Sequence, residues 1–339
     1  MVKSELPAEL YGVAGVRALD LAAIEGVGIS ANTLMLRAAA GVLLTLQSKW
    51  PEIKQVTIVC GRGNNAGGGY ALATLAQSAG YVVTVVQVGS TDGLSQEALQ
   101  CLESMRAVGL HMQSALEPID NAKLIVDALL GSGLLRPVEG EFAAVIERVN
   151  AAQVPVLSID MPSGTSADTG LCMGAAVRAS TTTTFIGLKQ GLFTGDGPAY
   201  SGEVLFDGLD VPALGDISAS PSARLFEMID VSSQLRPRAR TAHKGDHGHV
   251  LIVGGAWRHR ADRTGTTTRA RECRRDRAWT WTIRLVTLFA SVLSCNLPSV
   301  IDADALNLLA MEPCDREDWV LTPHLGEAAR LLAISTAAI

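Results

Sequence analysis

The chain has 339 residues, enough for about two domains of ordinary size. Its 28 Lys and Arg against 34 Asp and Glu leave a net charge of −6, which argues against a dedicated nucleic-acid binder. At 48% hydrophobic and 18% charged, it has the apolar content for packed cores and does not read as a disordered chain.

The first residues, MVKSELPAEL, hold no apolar stretch of the kind that forms a secretory signal, so a cytoplasmic protein is expected. VRALDLAAIEGV, from Val16, has helical spacing that Gly26 ends, and a second helix spans about 32–50 before Pro51. QVTIVC (55–60) is a continuous apolar, β-branched run, which marks a strand buried on both faces. A glycine-rich turn is expected over 61–69, then a helix from Tyr70 and a strand over 81–89. This β–loop–α–β unit predicts a parallel sheet with a right-handed crossover. The alternation continues with a strand over 124–128, a glycine loop at 131–133, the helix FAAVIERVNAA and the strand VPVLSID. TTTTFIGLK and GEVLFDG read as further strands. Residues 1–220 therefore read as one α/β domain of Rossmann-like, three-layer α/β/α type, and SASPSAR (218–224) reads as a linker.

A second start falls near Arg236, where HKGDHGHVLIVGG is a loop, a strand and a glycine turn. Periodicity is then lost until SVIDADALNLLA and WVLTPHLGEAARLL, each a strand leading into a helix. Residues 221–339 thus form an incomplete second α/β domain. The interval 256–284 carries nine Arg against three acids and holds Trp257, Trp279 and Trp281. Everything outside it has 19 basic and 31 acidic residues. Arg and Trp together can pair phosphates and stack bases, but a solvated segment explains the same composition. The apolar run 285–301 is interrupted by Asn296, Pro298 and three Ser and is short of a bilayer span, so no membrane partner is expected. Six scattered Cys without a CxxC pair indicate neither a disulfide framework nor a zinc site.

Ligands of open parallel sheets bind beyond the carboxyl ends of the strands, and three loops meet that condition. GRGNNAGGGY (61–70) offers glycines for close backbone approach, a helix N-terminus for an anion, and Asn64 and Asn65 as neutral donors and acceptors. A tight turn needing positive φ is the plainer reading of its glycines. It lacks the Lys-Ser/Thr of a phosphate loop and the glycine spacing of a dinucleotide fingerprint. VDALLGSGL places Asp127 near a strand end before Gly131, Ser132 and Gly133, either as a cation or hydroxyl ligand or as a cap. SIDMPSGTSADTG sets Asp160 at a strand end, followed by Pro162, Ser163 and Gly164. Asp160 is there either a catalytic group or a turn residue.

In order, these motifs resemble the bifunctional NAD(P)H-hydrate repair family, over nearly all of 10–255 and again over about 299–332. The family pattern GxGNNGGDGY is similar to 61–70, DALLGTGL to 127–134, D-[IL]-PSG to 160–164 with ADTG at 167–170, and FxxLKxGL to 185–192 with Lys189. The resemblance implies an epimerase domain acting on the R and S forms of hydrated NADH or NADPH, followed by a ribokinase-like, ADP- or ATP-dependent dehydratase domain. It implies that Asn64, Asn65, Gly67, Gly68, Gly131, Ser132 and Gly133 bind the hydrated cofactor and that Asp160 meets the reacting carbon. It implies a potassium ion held by Asn65, Asp127 and Ser163, a set of hard oxygen donors, and a substrate contact by His324. It leaves homo-oligomer formation open.

The departures carry their own expectations. GNNGGDG is GNNAGGG here, with Ala66 for Gly and Gly68 for Asp, so a charged hydrogen-bond acceptor is missing and weakened epimerisation, or a binding module without efficient turnover, is expected. After Gly255 a Gly- and Ala-rich segment of the family is replaced by the Arg- and Trp-rich interval, as a shifted reading frame across 256–298 would produce. The late nucleotide segment and the GSGD motif do not occur within 339 residues. A dehydratase half without them is expected to be inactive, although the architecture reads as fully bifunctional.

Overall fold

Continuous burial along the central strands sets the architecture. The structure is a computed structural model that describes residues 6–115, 122–212, 219–226 and, with short interruptions, 286–339. The stretch 243–255, the Arg- and Trp-rich interval 256–284 and most of the suspected frame disturbance lie outside the described residues. The chain divides into two compact units, Met1–Arg236 and Pro237–Ile339.

The first unit opens with β1 (Glu9–Tyr11), α1 (Val13–Leu21, continued by a π-helical turn over Ala22–Gly26) and α2 (Ala31–Lys49). Then come β2 (Gln55–Cys60), α3 (Asn64–Ser78), β3 (Val82–Gln87), α4 (Gln96–Ala107), β4 (Met112–Ser114) and β5 (Ile125–Ala128). α5 (Gly140–Ala151), β6 (Val156–Ile159), β7 (Thr181–Phe185), β8 (Leu188–Lys189), α6 (Gly197–Ser201), β9 (Glu203–Asp207) and β10 (Ala223–Arg224) complete it. Seven strands form one sheet in the order β4-β3-β2-β5-β6-β7-β9, every pairing parallel.

QVTIVC shows why the run had to be continuous. Ile58 joins the core packed with Val42, Leu46 and Tyr70, while Val59 joins the core with Val145, Ile146 and Val149 on the opposite face. Successive side chains point to opposite faces, so a sheet covered on both sides needs apolar residues at every position. Helices on both faces make the three-layer, Rossmann-like arrangement. β7 is the exception, a buried run of threonines in which the hydroxyls of Thr182, Thr183 and Thr184 have partners. Thr182 donates to the Ser201 carbonyl at 2.7 Å, and Thr183 shares a 3.1 Å hydrogen bond with Thr45.

SASPSAR does not act only as a linker: its last two residues form β10, which pairs antiparallel with β1, while β1 pairs parallel with β8. In the second unit, β11 (Ser299–Ile301), α7 (Asp304–Met311), β12 (Trp319–Leu321) and α8 (Leu325–Leu332) follow the expected strand–helix alternation, with β11 and β12 parallel. Among the described residues no single helix is long and apolar enough to cross a membrane.

Candidate functional site

The sheet changes direction at β2, which has β3 on one side and β5 on the other. That is a topological switch point, where the loops after two neighbouring strands part and leave a crevice. The loops after β2 and β5 here border a cleft of about 880 Å³. Asn64, Asn65, Gly68, Gly131, Ser132, Gly133 and Asp160 all line it, so seven of the expected site residues come together.

The glycine-rich stretch is not the turn expected over 61–69. α3 already begins at Asn64, and none of Gly61, Gly63, Gly67, Gly68 or Gly69 has positive φ. Close packing accounts for most of these glycines. A Cβ on Gly61 would lie 1.9 Å from the Leu129 carbonyl oxygen, and one on Gly69 2.7 Å from Cys60 Sγ. Gly67, expected against the ligand, is not among the residues that line the cleft, and a Cβ on it would meet Met35 Sδ at 2.7 Å and Ala98 Cβ at 2.8 Å. Gly68 differs, because it borders the cleft and nothing lies nearer to its Cβ position than Ile159 Cγ2 at 3.9 Å. Ala66 is fully buried inside the helix, without positive φ, and needs no glycine. Gly67→Ala is therefore expected to lower stability by about 1–3 kcal/mol through overpacking. Gly68→Ala is expected to leave it unchanged or raise it by up to about 1 kcal/mol through helix propensity. Urea denaturation of the two variants checks the contrast.

Asp127, at the end of β5, is fully buried beneath the cleft. Its Oδ1 accepts from Ser163 Oγ and from the Leu129 N–H at 3.2 Å, and its Oδ2 from Ser158 Oγ at 2.8 Å and the Ser163 N–H at 2.9 Å. Burial pushes this carboxyl above the ordinary carboxylate range, against the pull of those hydrogen bonds. Ser163 Oγ also accepts from the Leu130 N–H and lies 3.1 Å from the Leu130 carbonyl oxygen, to which Asn65 Nδ2 donates at 2.9 Å. Asn65, Asp127 and Ser163 therefore form one connected cluster around Leu130.

Asp160 follows β6 with φ +70°, a left-handed conformation that Asp adopts more readily than most residues. The backbone there turns the side chain into the cleft. Oδ1 pairs with Lys189 Nζ, and Lys189, only 2% exposed, also donates to Thr184 Oγ1 at 3.1 Å and the Phe185 carbonyl at 3.0 Å. Oδ2 points toward Gly131, 3.8 Å from that glycine's Cβ position. One carboxylate oxygen is thus anchored and the other is presented to the cleft. The following turn depends on Gly164, with φ +96°, where a Cβ would sit 1.9 Å from the Ala175 carbonyl oxygen.

Several cleft residues were not anticipated from the sequence. Lys189 lines it, although its motif was noted, and so do Asp20 and Arg17 from α1 and Arg62 and Arg136 from the two loops. Arg62 lies over the Phe142 ring at 5.3 Å. Asp20 is pushed up to about 6, by burial above all, with Lys189 opposing the rise and Asp160 adding to it. The signal for Asp20 was its spacing: it stands four residues after buried Val16, on the inward face of an otherwise apolar stripe. His324 is the N-cap of α8. Its Nδ1 accepts from the Gly326 N–H at 3.0 Å and Glu327 closes a capping box, so the contacts described for it are those of a helix cap.

Residues 31–191 match the family described as YjeF-related protein N-terminus, and residues 276–338 match that described as NAD(P)H-hydrate dehydratase. The bifunctional NAD(P)H-hydrate repair enzyme of Coxiella burnetii is 38% identical, over 96% of this chain and 76% of its own length. Its Escherichia coli K12 counterpart is 32% identical over 98% and 73%. The NAD(P)H-hydrate epimerase of Limosilactobacillus fermentum is 39% identical over 57% of this chain and 92% of its own. A crystal structure of the yeast protein YNL200c shares the fold, with a TM-score of 0.51 at 18% identity, over 58% of this chain and 87% of the yeast chain. With the switch-point cleft, both family regions and these relatives in agreement, the chain belongs to the bifunctional NAD(P)H-hydrate repair enzymes.

Proposed function

We propose that the amino-terminal unit interconverts the R and S forms of hydrated NADH and NADPH in the cytoplasm, with Asp160 as an acid–base group at the reacting carbon. The observation that carries this reading is the two-sided placement of Asp160, with Oδ1 on buried Lys189 and Oδ2 facing the cleft beside Gly131. The reacting carbon bears a hydroxyl and a ring nitrogen, and exchange of its configuration needs a proton donor and acceptor beside it. Asn64, Asn65 and the 131–133 loop line the wall against which the dinucleotide would rest.

A potassium ion held by Asn65, Asp127 and Ser163 belongs to the same reading. The donor set fits a hard cation: Asp127 is fully buried, pairs with no cation among the described residues, and sits among hydroxyl, amide and carbonyl oxygens. When bound, the ion supplies fixed positive charge that offsets this carboxylate and attracts an anionic cofactor. In the second unit, the replacement of a Gly- and Ala-rich segment by the interval 256–284 leads us to infer that these 339 residues do not dehydrate the hydrate with ADP or ATP.

One experiment tests these readings. The purified R hydrate is incubated with the protein and the isomers are separated by chromatography. Conversion to S above the uncatalysed rate is expected, with total hydrate unchanged by added ADP or ATP. Gly68→Asp restores the carboxylate of the family pattern where the cleft has room for it, so faster exchange by about tenfold or more is expected from a charged hydrogen bond. No conversion by either protein would overturn the epimerase reading, and nucleotide-dependent loss of hydrate would overturn the inference about the second unit.

A further inference from the structure

Acid–base exchange at one carbon needs two groups, and a second carboxylate lines the same cleft. Asp160 enters from the end of β6, whereas Asp20 enters from α1, and both line the cleft with Lys189. Among the described residues Asp20 makes no hydrogen bond or ion pair. A carboxylate on the inward face of a helix, without a partner, costs stability, and such a group kept in a cleft is a functional candidate. The helix that carries it is held firmly in place. Val13 N–H at the start of α1 donates to Asp168 Oδ1 at 2.7 Å, and the preceding β1 is paired with β8. The backbone from which Asp20 extends is accordingly fixed.

We propose that Asp20 is the second acid–base residue of the epimerase site, working with Asp160 on the two sides of the reacting carbon. The inference rests on the epimerase reading above. On the route in which the hydroxyl leaves, the Asp20 carboxylic acid gives its proton to the hydroxyl oxygen. The C–O bond breaks with its electron pair going to oxygen, water departs, and the ring nitrogen's lone pair forms a C=N bond. Water then adds to the other face, the C=N pair returns to nitrogen, and Asp160 takes the proton released. Solvent carries that proton back to Asp20 between turnovers. No oxidant or reductant enters.

The test compares Asp20→Asn, Asp20→Glu and Asp160→Asn in the isomer-exchange assay, with NADPH affinity measured by titration and thermal midpoints recorded. Asp20→Asn is expected to lose at least a hundredfold in exchange rate, with NADPH affinity changed less than about threefold and the fold intact, while Asp20→Glu recovers part of the rate. Wild-type exchange should fall as pH rises through about 6, because the acid form of Asp20 is lost there, and Asp20→Asn should lack that limb. The groups that face Asp20 are Lys189 and Asp160, which oppose each other in its titration. An Asp20→Asn rate within threefold of wild type, with Asp160→Asn inactive, would overturn this proposal alone. Parallel loss of rate, NADPH affinity and thermal midpoint would also overturn it, by assigning Asp20 a structural role. If Asp160→Asn leaves exchange intact, the role given to Asp160 fails, whereas the absence of exchange in the wild type overturns the epimerase reading itself.

Discussion

Asp127→Ala is expected to destabilise the amino-terminal unit by about 4 kcal/mol or more, a large share of the roughly 5–15 kcal/mol that holds a domain folded. The carboxylate accepts four hydrogen bonds at zero exposure, two from side chains and two from the backbone. Alanine leaves those donors facing a small cavity, and each unmet buried donor costs roughly 1–3 kcal/mol. The full sum is not reached, because Ser163 Oγ can turn to the Leu130 carbonyl oxygen. Asp127→Asn keeps the shape but presents an amide where acceptors are needed, so an intermediate loss is expected. Denaturant midpoints measure both. Potassium chloride, against a lithium control, should raise the wild-type thermal midpoint and leave that of Asp127→Ala unmoved. A change below about 1 kcal/mol in Asp127→Ala would contradict the account of the cluster.

Lys189→Met separates stability from chemistry. The ammonium is 2% exposed and has three partners: Asp160, Thr184 and the Phe185 carbonyl. Removing one member of a buried pair costs about 3–5 kcal/mol, reduced here toward about 2–3 because Asp160 is partly in contact with solvent. Isomer exchange should fall at least a hundredfold, since the anchored oxygen that aims Asp160 is released. The double variant Asp160→Asn with Lys189→Met removes both charges. It should regain about half of the lost stability and none of the activity, as replacing a whole buried pair is far milder than breaking it. A double variant no more stable than Lys189→Met would mean that the pair is not coupled in the folded state.

Much of the fold was legible because burial on both faces writes itself into composition. QVTIVC reads correctly as a strand buried on both faces for that reason, and VPVLSI and the 124–128 run read correctly as strands. The glycine-rich segment was misread from the same kind of reasoning. Gly67 and Gly69 are small because other elements crowd them, and crowding by Met35, Ala98 or Cys60 comes from distant parts of the chain. The three strand-end loops could be picked out because strand ends in a parallel sheet share one edge. Asp20 and the Asp160–Lys189 pair were not, since a carboxylate four residues after a valine looks like the polar edge of any amphipathic helix. β4 and α4 went unmarked in the sequence, the helix because Gln96–Ala107 shows only a narrow apolar stripe.

The manner in which β1 and α1 are fastened has a consequence for synthesis on the ribosome. Residues 9–13 are among the first to be made, yet their partners are Asp168, Leu188 and Ala223. The wall of the cleft bearing Arg17 and Asp20 therefore waits, unsecured, until roughly two hundred later residues have emerged, at a pace of about 5–20 residues per second. A nascent chain arrested before residue 168 can have β2, β3, β5 and β6 in register while β1 and the start of α1 still lack all three of these partners. The segment made first is thus fastened only after residues from much later in the chain have been made.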